Sequence, residues 1–176
     1  MSDSLLPPDI VDLARRVVEE NAAQGRKIAL AESCTGGLVA AALTEIPGSS
    51  AVLDRGFVTY SNEAKIESLG VASDLIETFG AVSIACAWGM AKGALDKCDA
   101  DVAVAVSGIA GPGGGTDLKP VGTVVFARAL RDDDSEPDGE MKLFDGGSRS
   151  AIRKQAALWA LELLLPDQSA VAAGDE

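Results

Sequence analysis

The fold of this chain turns on KIALAESCTGGLVAAAL, residues 27–43. KIALA is short and apolar, as strands are, and LVAAAL opens a run that reads as a helix. Between them lies AESCTGG, Ala31 to Gly37, a cluster of small hydroxyls, a thiol and two glycines. Strand, small-residue turn and helix make the first half of an α/β unit. Such a turn presents backbone N–H groups and the positive end of a helix dipole, so it can hold an anion. The same composition also serves as a cap, with Ser33 or Thr35 satisfying the first helical turn and Gly36 allowing close packing of helix on strand.

The elements on either side follow the same alternation. Upstream, Pro7 and Pro8 precede IVDLARRVVEENAAQG (10–25), whose Ile10, Leu13, Ala14, Val17 and Val18 recur at helical spacing and whose Gly25 suits a stop. Downstream, LVAAALTEI is closed by PGSS, and VLDRGFVTY (52–60) reads as a strand. SNEAKIESLG (61–70) is a short helix capped by Ser61 or Asn62, and SDLIETFG (73–80) is another with Ser73 as cap. IACAWGMAKGALDKC (84–98) is a buried helix with small residues on its packing face, and DVAVAVSG (101–108) is a strand buried on both sides. GIAGPGGGTDLKP is a glycine-rich loop, and VGTVVFARAL and EMKLFDG form an antiparallel hairpin around RDDDSEPDG. SRSAIRKQAALWALELLL (148–165) is the last helix, and the tail from about residue 166 is expected to fray. Helices alternating with strands, plus one late hairpin, predict an α/β fold: a three-layer α/β/α sandwich on a mixed sheet. AESCTGG and SGIAGPGGGT then both leave the carboxyl ends of strands, where ligands gather in such folds.

The bulk properties bound the function. A chain of 176 residues, 47% hydrophobic, suits one domain with a real core, spanning 1–176. A net charge of −12 argues against nucleic-acid or anionic-membrane partners, which need clustered Lys and Arg. No leader-like start or long apolar run is present, and a cytoplasmic location is expected. Cys34, Cys86 and Cys98 match neither a disulfide framework nor a zinc pattern, so free thiols and no metal are expected. The chain has no histidine. Every Ser-His or Cys-His arrangement is therefore excluded, and a general base must be Lys, Tyr, Asp or Glu.

Ser33 as a nucleophile would then need a lysine kept neutral by burial, and Lys65 in YSNEAK is the best-placed candidate. A lysine on a short helix is ordinarily solvated, and to act as a base its pKa must fall from about 10.4 toward about 7–8. Tyr60, the only tyrosine, can pack as a strand aromatic or relay a proton. Arg149 and Arg153 share one face at the start of the last helix, where they oppose the dipole; an anionic partner and salt bridges to the abundant carboxylates both explain them. Cys34 reads as a packing thiol.

Together AESCTGG, PGSS, RGFVTYSNEAK, LGV, GAVS, MAKGA, SGIAGPGGGT, KPVGTV and SRSAIRKQA occur in the order and spacing of a known family. From about Ala31 to Ala157 the chain resembles the C-terminal domain of the CinA competence/damage-inducible proteins. It departs from the family's usual GDR, reading Gly147-Ser148-Arg149 and retaining the arginine. The resemblance implies a nicotinamide-nucleotide amidase that converts nicotinamide mononucleotide to nicotinate mononucleotide and ammonia, without a cofactor, in a stand-alone and homo-oligomeric form. It implies Ser33 as nucleophile, Lys65 as its base and Tyr60 nearby. Thr35, Gly36, Gly108, Gly111, Thr116, Arg149 and Arg153 are the substrate-binding residues expected on this basis. The competing expectation, from the competence association of the family's name, is a non-catalytic module that binds a nucleotide or a protein partner.

Overall fold

The computed structural model describes residues 3–167; the tail expected to fray lies outside them from residue 168 on. Helix α1 (Pro8–Ala23) starts on Pro7 and Pro8 and stops at Gly25, whose φ of 62° is left-handed. Strand β1 (Ile28–Glu32) and helix α2 (Leu38–Thr44) flank the AESCTGG turn. Next come β2 (Leu53–Val58), α3 (Asn62–Leu69), α4 (Ser73–Phe79), α5 (Ile84–Asp96) and β3 (Val102–Gly108). The hairpin β4 (Thr123–Leu130) and β5 (Asp138–Leu143) precedes α6 (Arg149–Leu164). Ser61 caps α3, its hydroxyl accepting from the Ala64 N–H at 3.0 Å. The expected cap of α4 is displaced: Ser73 is its first helical residue, and Ala72 in the cap position has no side chain to offer.

The five strands form one mixed sheet in the order β2-β1-β3-β4-β5. β1 runs parallel to β2 and β3, while β3–β4 and β4–β5 are antiparallel. Helices α1, α2 and α6 cover one face, and α3, α4 and α5 the other. This is the three-layer arrangement expected. The chain leaves β1 toward β2 on one side and returns to β3 on the other, so a crevice opens at the carboxyl ends of β1 and β3.

Alternation along the strands sorts large from small side chains. Ile28, Leu30, Val102, Val104, Val106, Val124 and Phe126 point toward α1, α2 and α6. Ala29, Ala31, Ala103, Ala105, Ala127 and Ala129 point toward α5. Period-two geometry puts the two sets on opposite faces. The alanine face meets a helix that is itself built of small residues, including Ala87, Ala91, Gly93 and Ala94. Buried Asn21 ties the outer helices together, its amide donating to the carbonyls of Val17 at 2.8 Å and Leu164 at 3.0 Å. No helix among the described residues is long and apolar enough to cross a membrane.

The close approach of α5 to α3 is most severe at Gly93, where an added Cβ would collide with the carbonyl oxygen of Leu69. At Gly89, on the same helix, it would meet only the Val71 side chain, at 3.3 Å. Alanine exceeds glycine in helix propensity by about 1 kcal/mol. Gly93→Ala should nonetheless cost about 1–3 kcal/mol through overpacking, read in a thermal melt as a Tm lower by roughly 2–10 °C. Gly89→Ala should melt near the wild type. A Gly93→Ala protein as stable as Gly89→Ala would disprove the backbone contact.

Candidate active site

The end of β1 is held on both sides. The Ser33 N–H donates to the Val106 carbonyl of β3 at 2.9 Å, and the Thr59 N–H at the end of β2 donates to the Glu32 carbonyl at 2.9 Å. The chain then turns sharply, with the Gly36 N–H bonded to the Ser33 carbonyl at 3.0 Å and the Leu38 N–H to the Thr35 carbonyl at 3.1 Å. Gly36 and Gly37 take φ values of 60° and 97°, which explains two consecutive glycines. Gly37 occupies the cap position of α2 without a side chain. Glu32 supplies the cap instead of Ser33 or Thr35. Its Oε1 accepts from the Val39 N–H at 3.0 Å and the Thr35 hydroxyl at 2.6 Å, and its Oε2 from the Ala40 N–H at 3.1 Å. The start of α2 is thereby occupied by a carboxylate of the chain itself, which removes the anion-binding reading of that terminus.

Ser33 is left facing α3. Lys65 is 1% exposed, and its Nζ lies 3.0 Å from Ser33 Oγ and donates to the Thr59 carbonyl at 2.7 Å. It forms no salt bridge among the described residues. Burial holds its pKa below the ordinary lysine value. The neighbouring Cys34 is driven the other way: burial, with the Glu32 charge adding to it, raises the thiol to about 11. Of two adjacent candidate nucleophiles, the hydroxyl has a base in contact and the thiol is held protonated.

Around this pair is an open cleft of about 180 Å³. Ser33, Tyr60, Lys65, Gly108 and Arg149 all line it. Gly108 ends β3 where a Cβ would meet the Thr123 carbonyl oxygen at 2.9 Å. Arg149 spans the mouth, donating Nη1 to the Gly111 carbonyl at 2.7 Å and Nη2 to the Tyr60 hydroxyl at 2.9 Å. Ala110 and Arg149 also line a second hollow at the start of α6, with Gly146, Gly147 and Ser148.

Arg153 turns away from the cleft toward the AESCTGG turn. Its Nε donates to the Cys34 carbonyl and its Nη2 to the Thr35 carbonyl, each at 3.0 Å. Thr35 is fully buried, its hydroxyl taken by Glu32. Thr116 closes a turn of the glycine loop with Lys119, its hydroxyl accepting from the Lys119 N–H at 3.0 Å, and does not line the cleft.

Several residues of the site escape sequence reasoning. Ser107 lines the cleft at 2% exposure and donates its hydroxyl to the Ala81 carbonyl at 2.9 Å. The available signal was a hydroxyl at the carboxyl end of an otherwise apolar strand. Thr59 contributes only a carbonyl, which no side-chain pattern announces. Glu32 was visible as the one acid at the end of an apolar strand. Among the described residues no group of three or more Cys, Asp and Glu side chains converges as a metal site.

A family model described as the CinA C-terminal domain matches residues 10–167. The nicotinamide-nucleotide amidohydrolase PncC of Escherichia coli strain K12 is 46% identical over 164 residues, which are 93% of this chain and 95% of that protein. A CinA-like protein of Akkermansia muciniphila is 50% identical over 161 residues, 92% of this chain but 38% of that protein. The chain thus spans well under half of some of its relatives. The crystal structure of the competence/damage inducible protein CihA from Agrobacterium tumefaciens superposes with a TM-score of 0.87 at 50% identity, over 92% of this chain and 96% of that one. With the family pattern running almost from end to end over a shared fold, the chain belongs to the CinA C-terminal domain family.

Proposed function

We propose that this protein hydrolyses the carboxamide of nicotinamide mononucleotide to nicotinate mononucleotide and ammonia, through an acyl-enzyme on Ser33. The substrate comes from the relatives named nicotinamide-nucleotide amidohydrolase, at 46% and 52% identity over most of the chain. The mechanism rests on one observation, a lysine amine buried without a carboxylate and 3.0 Å from a serine hydroxyl.

In the first half-reaction neutral Lys65 takes the Ser33 proton as Oγ bonds to the carboxamide carbon, and the carbonyl electron pair moves onto oxygen. The N–H groups of Cys34 and Thr35 follow the nucleophile directly and are the donors suited to that oxyanion; the Gly36 N–H is already committed to the Ser33 carbonyl. The tetrahedral carbon then expels nitrogen, which leaves as ammonia with the proton held on Lys65. In the second half a water gives its proton to Lys65 and attacks the ester, and Ser33 departs with that proton. Serine, lysine and water balance the whole sequence. Arg149, between the cleft and the start of α6, is the charge best placed for the 5′-phosphate, and Tyr60 holds its guanidinium.

Ser33→Ala should fold normally and lose at least about 10³-fold in kcat, whereas Cys34→Ala should retain most activity. Severe loss in the cysteine variant would transfer the nucleophile's role to the thiol.

Lys65 must be neutral to accept a proton. Activity should therefore rise with pH through the free-enzyme pKa of Lys65 in kcat/KM, with a midpoint below the ordinary 10.5 because burial lowers it. Lys65→Arg keeps the charge but cannot lose its proton, so it should be as inactive as Lys65→Ala. Substantial turnover by Lys65→Arg with an unchanged pH profile would remove Lys65 as the base.

Arg149→Ala should raise KM for the mononucleotide roughly 10- to 150-fold, the equivalent of one charge-assisted contact of about 1.5–3 kcal/mol. The dephosphorylated riboside should be affected far less. Equal losses on both substrates would contradict a phosphate contact.

A further inference from the structure

We infer that Arg153 is a positioning residue for this reaction: by gripping the carbonyls of Cys34 and Thr35, it fixes the turn after Ser33 and polarises the Thr35 N–H that receives the oxyanion. The inference rests on the acyl-enzyme reading above.

Several features separate Arg153 from an ordinary surface arginine. The chain carries 27 acidic residues against 15 basic ones, yet Arg153 forms no salt bridge among the described residues. Its planar fork is used on two successive backbone carbonyls across 118 residues or more of sequence. The turn it grips is the one that follows Ser33. A Cβ on Gly36 would approach Arg153 Nη2 to 3.4 Å, so the guanidinium lies directly against the turn.

Peptide geometry carries the consequence. In a trans peptide the C=O and N–H of one unit point in opposite directions. Holding the Cys34 carbonyl against Arg153 therefore aims the Thr35 N–H away from the arginine. The Thr35 N–H has no acceptor among the described residues and the Cys34 N–H faces only its own thiol, while the Gly36 N–H is held by the Ser33 carbonyl. A charge-assisted bond on the carbonyl side strengthens the N–H of the same unit as a donor. The guanidinium's charge is also felt inside the turn, where it pulls the Cys34 thiol pKa down against burial. These contributions grow in the transition state and are small in the ground state, so they should act on kcat. Arg149, one turn earlier on the same face of α6, reaches the cleft mouth instead. The two arginines thus divide substrate holding from preparation of the turn.

The test compares wild type, Arg153→Gln and Arg153→Lys on nicotinamide mononucleotide and on nicotinamide riboside. It adds binding of two probes: nicotinate mononucleotide, and the mononucleotide of pyridine-3-carbaldehyde. The aldehyde adds Ser33 Oγ to its carbonyl carbon and places an oxyanion where the reaction does. Arg153→Gln should lose about 10- to 100-fold in kcat, somewhat less than deletion of an oxyanion donor, by the same factor on both substrates and with little change in KM. The aldehyde's affinity should fall in step with kcat/KM while that of nicotinate mononucleotide holds. Arg153→Lys, which keeps the charge but not the fork, should fall between wild type and Arg153→Gln. If Arg153→Gln fails to fold, Arg153→Lys carries the same comparison with a smaller loss. Loss confined to KM for the phosphorylated substrate would make Arg153 a phosphate contact and overturn the inference. Equal weakening of aldehyde and product would make it a structural brace and overturn it as well. A wild-type protein that releases no ammonia from the mononucleotide overturns the amidase reading, and the inference with it. An active wild type with either of the other two results overturns the inference alone.

Discussion

A lysine amine at 1% exposure, with a carbonyl and a hydroxyl as its hydrogen-bond partners, is the contact around which this domain is arranged. Burying the ammonium without a carboxylate is costly. The folded-state pKa lies below the unfolded one, so the unfolded chain binds more protons at pH values between the two. Stability therefore rises with pH across that window; the cost is fully present below the folded pKa and gone above the unfolded one. A carboxylate beside Lys65 would remove the cost and also raise the pKa, leaving an ammonium unable to take a proton. The surrounding structure must instead hold Nζ against Ser33 by packing. α3 is pressed onto α5 at Gly93, and the end of β1 is pinned by bonds to both β2 and β3. These supports belong to the sheet and its covering helices, so holding the Ser33–Lys65 contact draws on much of the fold.

The charges near the site follow one pattern. Glu32 is spent on the first turn of α2, Arg149 on the Gly111 carbonyl and Tyr60, and Arg153 on the carbonyls beyond Ser33. None of the three is neutralised by a direct ion pair among the described residues. Arg149 therefore leaves positive charge at the cleft of a chain whose net charge is −12. That local reversal of sign attracts a small anion to the cleft, while the overall charge disfavours large polyanions.

Much of this was legible in the sequence. The apolar run in DVAVAVSG marks a strand buried on both faces, and the absence of histidine makes Lys65 the candidate base for Ser33, which the fold brings to 3.0 Å from its hydroxyl. The i, i+4 spacing of Arg149 and Arg153 correctly puts them on one face, but their partners lie up to 119 residues away in sequence. Local spacing fixes which face a side chain is on, and tertiary packing decides what it touches. The same limit hid the cap of α2. Rules for helix starts look for an oxygen at the cap position, where Gly37 has none, while Glu32 reaches back from the end of the preceding strand. Thr35, which the sequence offers as a cap, instead gives its hydroxyl to the Glu32 carboxylate. Ser73 fell one residue inside its helix for a simpler reason: serine is favoured at several early positions, and only the backbone angles of Ala72 locate the cap.

In the acyl-enzyme mechanism proposed above, the choice of serine over the adjacent cysteine is set by environment, since a thiol is by nature the more easily ionised group. Cys34 packs into the core beneath α2 and α6 at 5% exposure, close enough to Glu32 to feel its charge. Arg153 and Lys65 pull its pKa down, but burial outweighs both and leaves it near 11. Ser33, one residue earlier, turns toward Lys65. The alternation of the strand thus continues one step into the turn, sending one side chain to the base and the next into the core. With the thiol protonated and packed away, a weak nucleophile with a base in contact has the advantage over a strong one that cannot ionise. In the proposed mechanism the turn selects its nucleophile by direction and dielectric, and a cysteine can lie beside Ser33 without competing with it.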